Sequence, residues 1–227
     1  MKRTKLIDRD LPGYSYGEEL FHMVSHIVGG GLAVLFCVAC VIKAFLRGGA
    51  YEIVVAFLYG LSMITLYTMS GLYHGLREGT AKPVFQIPDH CTIFLLIAGT
   101  YTPIVLCALR SVSPFLGWPV FGVVWGLSAL GIVFHSIDLN RYAKLSMTLY
   151  ILLGWCIVLT GRQAILAMGI PCFRYMPAGG ISYTVGAVFY GIGGMGEIPI
   201  AYMHAIFHLF VILGSTLHFL GIFLYIL

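Results

Sequence analysis

Long apolar runs alternate with short polar or Gly/Pro-rich breaks along the whole chain. Bounded by those breaks, the pattern predicts seven helical spans, at 20–45, 52–75, 89–109, 114–136, 145–168, 179–196 and 200–225. A helix needs about 20 residues to cross a hydrocarbon core of about 30 Å, and the runs far exceed the alternating segments of about 10 residues expected of an outer-membrane barrel. The connections REGTAKPVFQIP, SIDLNRYAK and IPCFRYMPAGG are short, so successive helices are expected to pack antiparallel. The predicted fold class is all-α, a seven-transmembrane-helix bundle. Residues 1–19 are expected to form a tail and 20–227 a single transmembrane domain, with neither an appended soluble domain nor an internal repeat.

Composition strengthens this picture. The chain is 59% hydrophobic and only 10% charged, with mean hydropathy +0.94, whereas soluble domains carry about 25% charged residues. The opening MKRTKLIDRDLPGYSYGE is polar and lacks a small-residue cleavage site after a short apolar core, so no removable signal peptide is expected. A net charge of +4 on scattered Lys and Arg argues against a nucleic-acid partner. That charge bears on topology, because cytoplasmic loops carry the excess of basic residues. A cytoplasmic N-terminus places Lys2, Arg3, Lys5, Arg9, Arg77, Lys82, Arg141 and Lys144 on that side, eight of thirteen. Lys43, Arg47, Arg110, Arg162 and Arg174 then lie near the other face, and the C-terminus is outside. The six cysteines sit mostly in apolar segments, so no disulfide framework is expected, and Cys37-xx-Cys40 reads as core packing. Nothing in the pattern specifies an oligomeric state.

Ionisable residues inside a bilayer are expensive and face the bundle interior, where they are functional candidates. With this topology Glu19, His22 and His26 open the first helix, Ser70 and His74 close the second, Asp89 and His90 open the third, and His204 and His208 open the seventh. They share one membrane depth. Glu19, His22 and His26 are offset by three and seven, and Ser70/His74 and His204/His208 by four, so each set lies on one helix face. His204 and His208 sit about 6 Å apart along the axis, a spacing from which two imidazoles can grip one metal. With His74 they make three histidines and one open position, the pattern of a catalytic zinc site that brings the pKa of water to about 7. Asp89 is suited either to be a fourth ligand or to act as general base. Ser70 either serves the site, by orienting a ligand or donating to an oxyanion, or back-bonds to a helix carbonyl. Glu19 and His26 either support the site or simply fix the first helix.

Other features are assigned structural roles. His218 is ten residues beyond His208, about 15 Å along the helix, and reads as an interhelical hydrogen-bonder. His135 is expected to be interfacial, and His90 to meet a neighbouring helix. The 28 glycines, including Gly29 to Gly31 and the Gly122-xxx-Gly126 spacing, suggest close helix packing. Glycines and prolines around Pro103, Pro199 and GIGGMG are candidates for bending helices and opening a lateral gap for lipid.

Taken together, EELFHMVSH (18–26), SGLYH (70–74), PDHCTIFLLIAGTYTP (88–103), GGISYTVGAVFY (179–190) and HAIFHLFVILGSTLHF (204–219) resemble the hemolysin III family. That family is the bacterial branch of the progestin and adiponectin receptor family, and more distantly the chain resembles the membrane hydrolases that include alkaline ceramidases. The resemblance covers all seven spans. It implies a zinc ion near the cytoplasmic face, surrounded by Ser70, His74, Asp89, His204 and His208, all retained in type. The family's first motif has Glu, then Asn three residues on, then His; here Glu19 and His26 match but His22 stands where the Asn would be, as an extra or alternative ligand. The implied activity is zinc-dependent hydrolysis of a membrane lipid amide in the bacterial inner membrane, with Asp89 managing the proton. Alternatives are a receptor or regulator of membrane fluidity or energetics with structural zinc, and a pore-forming cytolysin. The confinement of the polar residues to one layer disfavours a pore.

Overall fold

A computed structural model describes residue 4 and residues 11–195 and 200–227. Among these, seven helices are long and apolar enough to cross a membrane. They are α1 (Tyr16–Arg47), α2 (Ala50–Gly75), α3 (Ala81–Val112), α4 (Pro114–Ile137), α5 (Leu139–Thr160), α6 (Arg162–Met195) and α7 (Met203–Tyr225). The basic residues Lys2, Arg3, Lys5 and Arg9, and Pro199 with the end of GIGGMG, lie outside the described residues.

Helix α1 begins four residues before the expected start, because Ser15 and Glu18 form a capping box. The Ser15 hydroxyl accepts from the Glu18 N–H at 3.3 Å and the Glu18 carboxylate accepts from the Ser15 N–H at 3.0 Å. Two expected loops are largely helix. SIDLNRYAK reduces to a break at Asp138, whose carboxylate caps the start of α5 at the Arg141 N–H. IPCFRYMPAGG lies inside α6, and the chain turns instead at Gly161, whose φ of 50° suits a residue without Cβ. A second left-handed glycine, Gly169 (φ 73°), kinks α6 two residues before Pro171 and lets the helix resume. Pro103 is followed by a π turn, Ile104–Leu109, that widens α3 without ending it.

The helices form a ring in chain order, closed by α7 against α1, with α1–α2 and α6–α7 the most intimate pairs and α5–α6 the loosest. Within that ring α3 is the most enclosed, packing on α5 and α6 as well as on its chain neighbours: 78% of its apolar stretch is buried, against 22% for α4 and for α5. Around the outside, Leu35, Phe45, Phe115 and Leu159 are among the large apolar side chains left uncovered, the surface expected of a multi-pass integral membrane protein. Several glycines do pack as expected. A Cβ at Gly29 would meet the Tyr67 ring at 2.7 Å, and one at Gly60 would meet Cys37 Sγ at 2.3 Å, which also accounts for Cys37 as a core residue. Gly122 and Gly126 differ, since nothing lies within 4 Å of a Cβ at either. The face they share looks outward, so their spacing is not used for packing within the chain.

Candidate metal centre

Glu19, His22, Ser70, His74, Asp89, His204 and His208 meet at the end of the bundle where α1, α3 and α7 begin and α2 ends. His22, His26, His74 and His208 are buried and His204 is half-buried. The His22 ring lies 4.7 Å from both His74 and His204 and 5.0 Å from His208, centroid to centroid. His22, His74 and His204 each offer one nitrogen within 4.8 Å of the others, so this triad can bind a metal ion. His204 and His208 bring their Nε2 atoms to 3.0 Å. Two imidazole nitrogens at about 2.0–2.1 Å from one tetrahedral zinc stand about 3.3 Å apart, close to that separation.

The donor set has the chemistry of a metal site. Both ring nitrogens of His22, Nε2 of His74 and Nδ1 of His204 are buried without a hydrogen-bond partner, a costly arrangement for polar atoms unless something else satisfies them. Neighbouring groups orient the rings. The Glu19 carboxylate is 2.6 Å from His74 Nδ1; because a carboxylate only accepts, Nδ1 is the donor, which leaves Nε2 as the nitrogen free to ligate an ion. Ser25 Oγ lies 3.1 Å from His208 Nδ1. His26 stacks on His208 at 3.6 Å, so it backs the cluster from deeper in the bundle.

Asp89 and Ser70 sit beside the imidazoles on the wall of a cavity of about 190 Å³ that also takes in His204 and His208. The cavity runs inward past Leu66, Tyr150, Trp155 and Tyr183, and its lining is overwhelmingly apolar. Met147, Ile151, Thr184 and Ala187 are shared with a second, wider apolar opening of about 660 Å³ between α5 and α6, the loosest seam of the ring.

The remaining histidines are accounted for. His218 Nε2 meets the Met176 carbonyl at 3.0 Å, the interhelical bond expected of it. His90 stacks on His135 of α4 at 5.3 Å. His135 is not interfacial: it is 2% exposed, and its Nδ1 is 2.6 Å from Ser146 Oγ. The α4–α5 break at Asp138 turns the chain so that Ser146 faces it, which no local pattern announces.

Sequence reasoning missed Tyr14. Its ring covers His22 and His204 at 4.9 and 5.2 Å, and burial, then the neighbouring Tyr190, Tyr73, Glu19 and Asp89, push its phenol up so that it stays protonated. A lone tyrosine ahead of a helix carries no signal of this. Ser25, three residues after His22 on the same face, was legible from spacing.

The profile of the Haemolysin-III related family matches residues 14–219. The chain belongs to that family. Hemolysin-3 of Bacillus cereus is 36% identical over 210 residues, covering 92% of each chain. The hemolysin-3 homolog of Bacillus subtilis is 34% identical over 212 residues, 93% of this chain and 96% of that protein. The human monocyte to macrophage differentiation factor is 25% identical over 187 residues, 80% of this chain and 74% of its own length. His22 aims a further imidazole at the cluster.

Proposed function

We propose that this protein is a zinc-dependent hydrolase of a membrane lipid amide, acting in lipid homeostasis. The observation that carries the reading is the cluster of imidazoles with partnerless nitrogens, whose member His204 lines one apolar cavity together with His208, Asp89 and Ser70. His74, His204 and His208, with His22 at the same point, would hold the ion. Zinc so held supplies a Lewis acid and makes water a competent nucleophile near neutral pH. Asp89 accepts the proton that water gives up and returns it to the departing amine, the two-way transfer expected of a general base within reach of both. Ser70 donates to the amide oxygen as charge develops there. The apolar cavity takes the acyl chain, and the opening between α5 and α6 lets it arrive from the lipid. By the distribution of basic residues the site faces the cytoplasm, and by the family resemblance the membrane is a bacterial inner membrane.

The test is elemental analysis of the detergent-purified protein, followed by a screen of lipid amides for release of fatty acid. Stoichiometric zinc with turnover supports the hydrolase. Zinc without turnover on any amide, and loss of folded protein on chelation, would favour the structural-zinc regulator. Dye leakage from vesicles carrying the protein would instead favour the cytolysin.

A further inference from the structure

Lys82 is the second residue of α3, and the basic-residue count treats it as one of the surface charges that orient the bundle. It is not on the surface. Lys82 is 4% exposed, and its Nζ donates to Glu19 Oε1 at 2.7 Å and to the Leu76 carbonyl at 3.0 Å. It also lies 5.2 Å from the centre of the Tyr73 ring.

This placement runs against local electrostatics. The first turn of a helix favours anions, and a buried ammonium is costly unless it is paired. The cost is offset by reaching away from α3, to the C-terminal carbonyl end of α2 and to the carboxylate of α1. Glu19 has the matching problem, since an ionised carboxylate in apolar surroundings needs a countercharge. Its two oxygens divide the work: Oε1 takes Lys82 and Oε2 takes His74 Nδ1.

We propose that Lys82 is a positioning residue of the metal centre, acting through Glu19 to hold His74 with Nε2 bare and aimed at the ion. The inference rests on the metal-site reading above. The relay runs from the Lys82 ammonium to the Glu19 carboxylate to the His74 Nδ1–H, and crosses α3, α1 and α2 in turn. An uncharged residue at 82 removes the ammonium that holds Glu19 Oε1 in place. The carboxylate is then free to turn away from α2, and His74 Nδ1 loses the acceptor that orients its ring. Outer partners of this kind typically change metal affinity by about 10–100-fold.

The experiment is zinc competition against a chromogenic chelator on the full chain in detergent, with Lys82→Met, Lys82→Arg, Glu19→Gln and Lys82→Met/Glu19→Gln. Lys82→Met and Glu19→Gln are each expected to lose about 10–100-fold in zinc affinity. Lys82→Arg should restore most of the loss. The double variant should bind no more weakly than Glu19→Gln alone, because both changes break one chain. A purely structural lysine gives additive losses and no special dependence on Glu19. Should Lys82→Met not yield monodisperse protein, Lys82→Gln takes its place. Wild-type affinity in Lys82→Met, or full additivity in the double variant, overturns the relay. Failure of the unsubstituted protein to bind zinc overturns the metal site itself, and is distinguishable because it appears before any substitution.

Discussion

His204 and His208, one turn apart on α7, face each other with their Nε2 atoms 3.0 Å apart. Two neutral imidazoles at that distance are satisfied either by sharing one proton or by sharing one metal ion. His204→Ala and His208→Ala should therefore each reduce the zinc content of purified protein to well below stoichiometric, and His74→Ala should do the same. Unchanged zinc in all three variants would remove the metal from the site.

His22 has its ring 4.7 Å from those of both His74 and His204. His22→Asn is expected to retain zinc on the remaining histidines but with affinity about 10–100-fold lower, as for loss of a supporting group. Cobalt substitution gives a second readout, since loss of one nitrogen donor shifts the visible absorption bands. A spectrum and affinity identical to those of the unsubstituted protein would assign His22 to packing alone.

Asp89 lines the cavity beside His204 and His208 rather than standing apart from it. Asp89→Asn should keep its zinc and lose turnover by about 10²–10⁴-fold, the range for removal of a general base. Ser70→Ala, measured in the same assay, should cost less than Asp89→Asn and should leave zinc content unchanged. Unaltered kcat in Asp89→Asn would defeat the proton-transfer role.

Ala187 is shared by the inner cavity and the opening between α5 and α6. Ala187→Trp fills that junction without replacing any of the proposed ligands, so zinc content should be retained. Release of fatty acid from long-chain amides should fall while short-chain substrates lose less. Equal losses for both would mean that the acyl chain takes another path.

Gly60 and Gly131 let neighbouring side chains close on the helix backbone. A Cβ at Gly60 would meet Cys37 Sγ at 2.3 Å, and one at Gly131 would meet the Phe94 ring at 2.3 Å. Phe94 is fully buried and cannot retreat. Gly131→Ala and Gly60→Ala are each expected to destabilise the bundle by about 1–3 kcal/mol, read as lower thermal stability in detergent. Gly126→Ala, with nothing within 4 Å, serves as the neutral control.

The sequence by itself determined the number of spans and the end at which the polar residues gather. Apolar run length and helical spacing are local properties, and the cost of an ionisable group in hydrocarbon leaves such groups few places to go. The convergence of His74, His204 and His208 was legible for that reason, and that of His22 from its helical spacing to Glu19 and His26. Helix limits near Asp138, Gly161 and Gly169 were not, since capping and left-handed glycines override apolar periodicity. Only the tertiary structure decided what stands behind the histidines. It alone brings Lys82 of α3 to Glu19 of α1 and Glu19 to His74 of α2, folds Tyr14 over the rings, and lets the cavity widen at the α5–α6 seam. These contacts join residues tens of positions apart, and their geometry depends on helix tilt and rotation. Those are set by which surfaces pack closest, and no single helix carries that information.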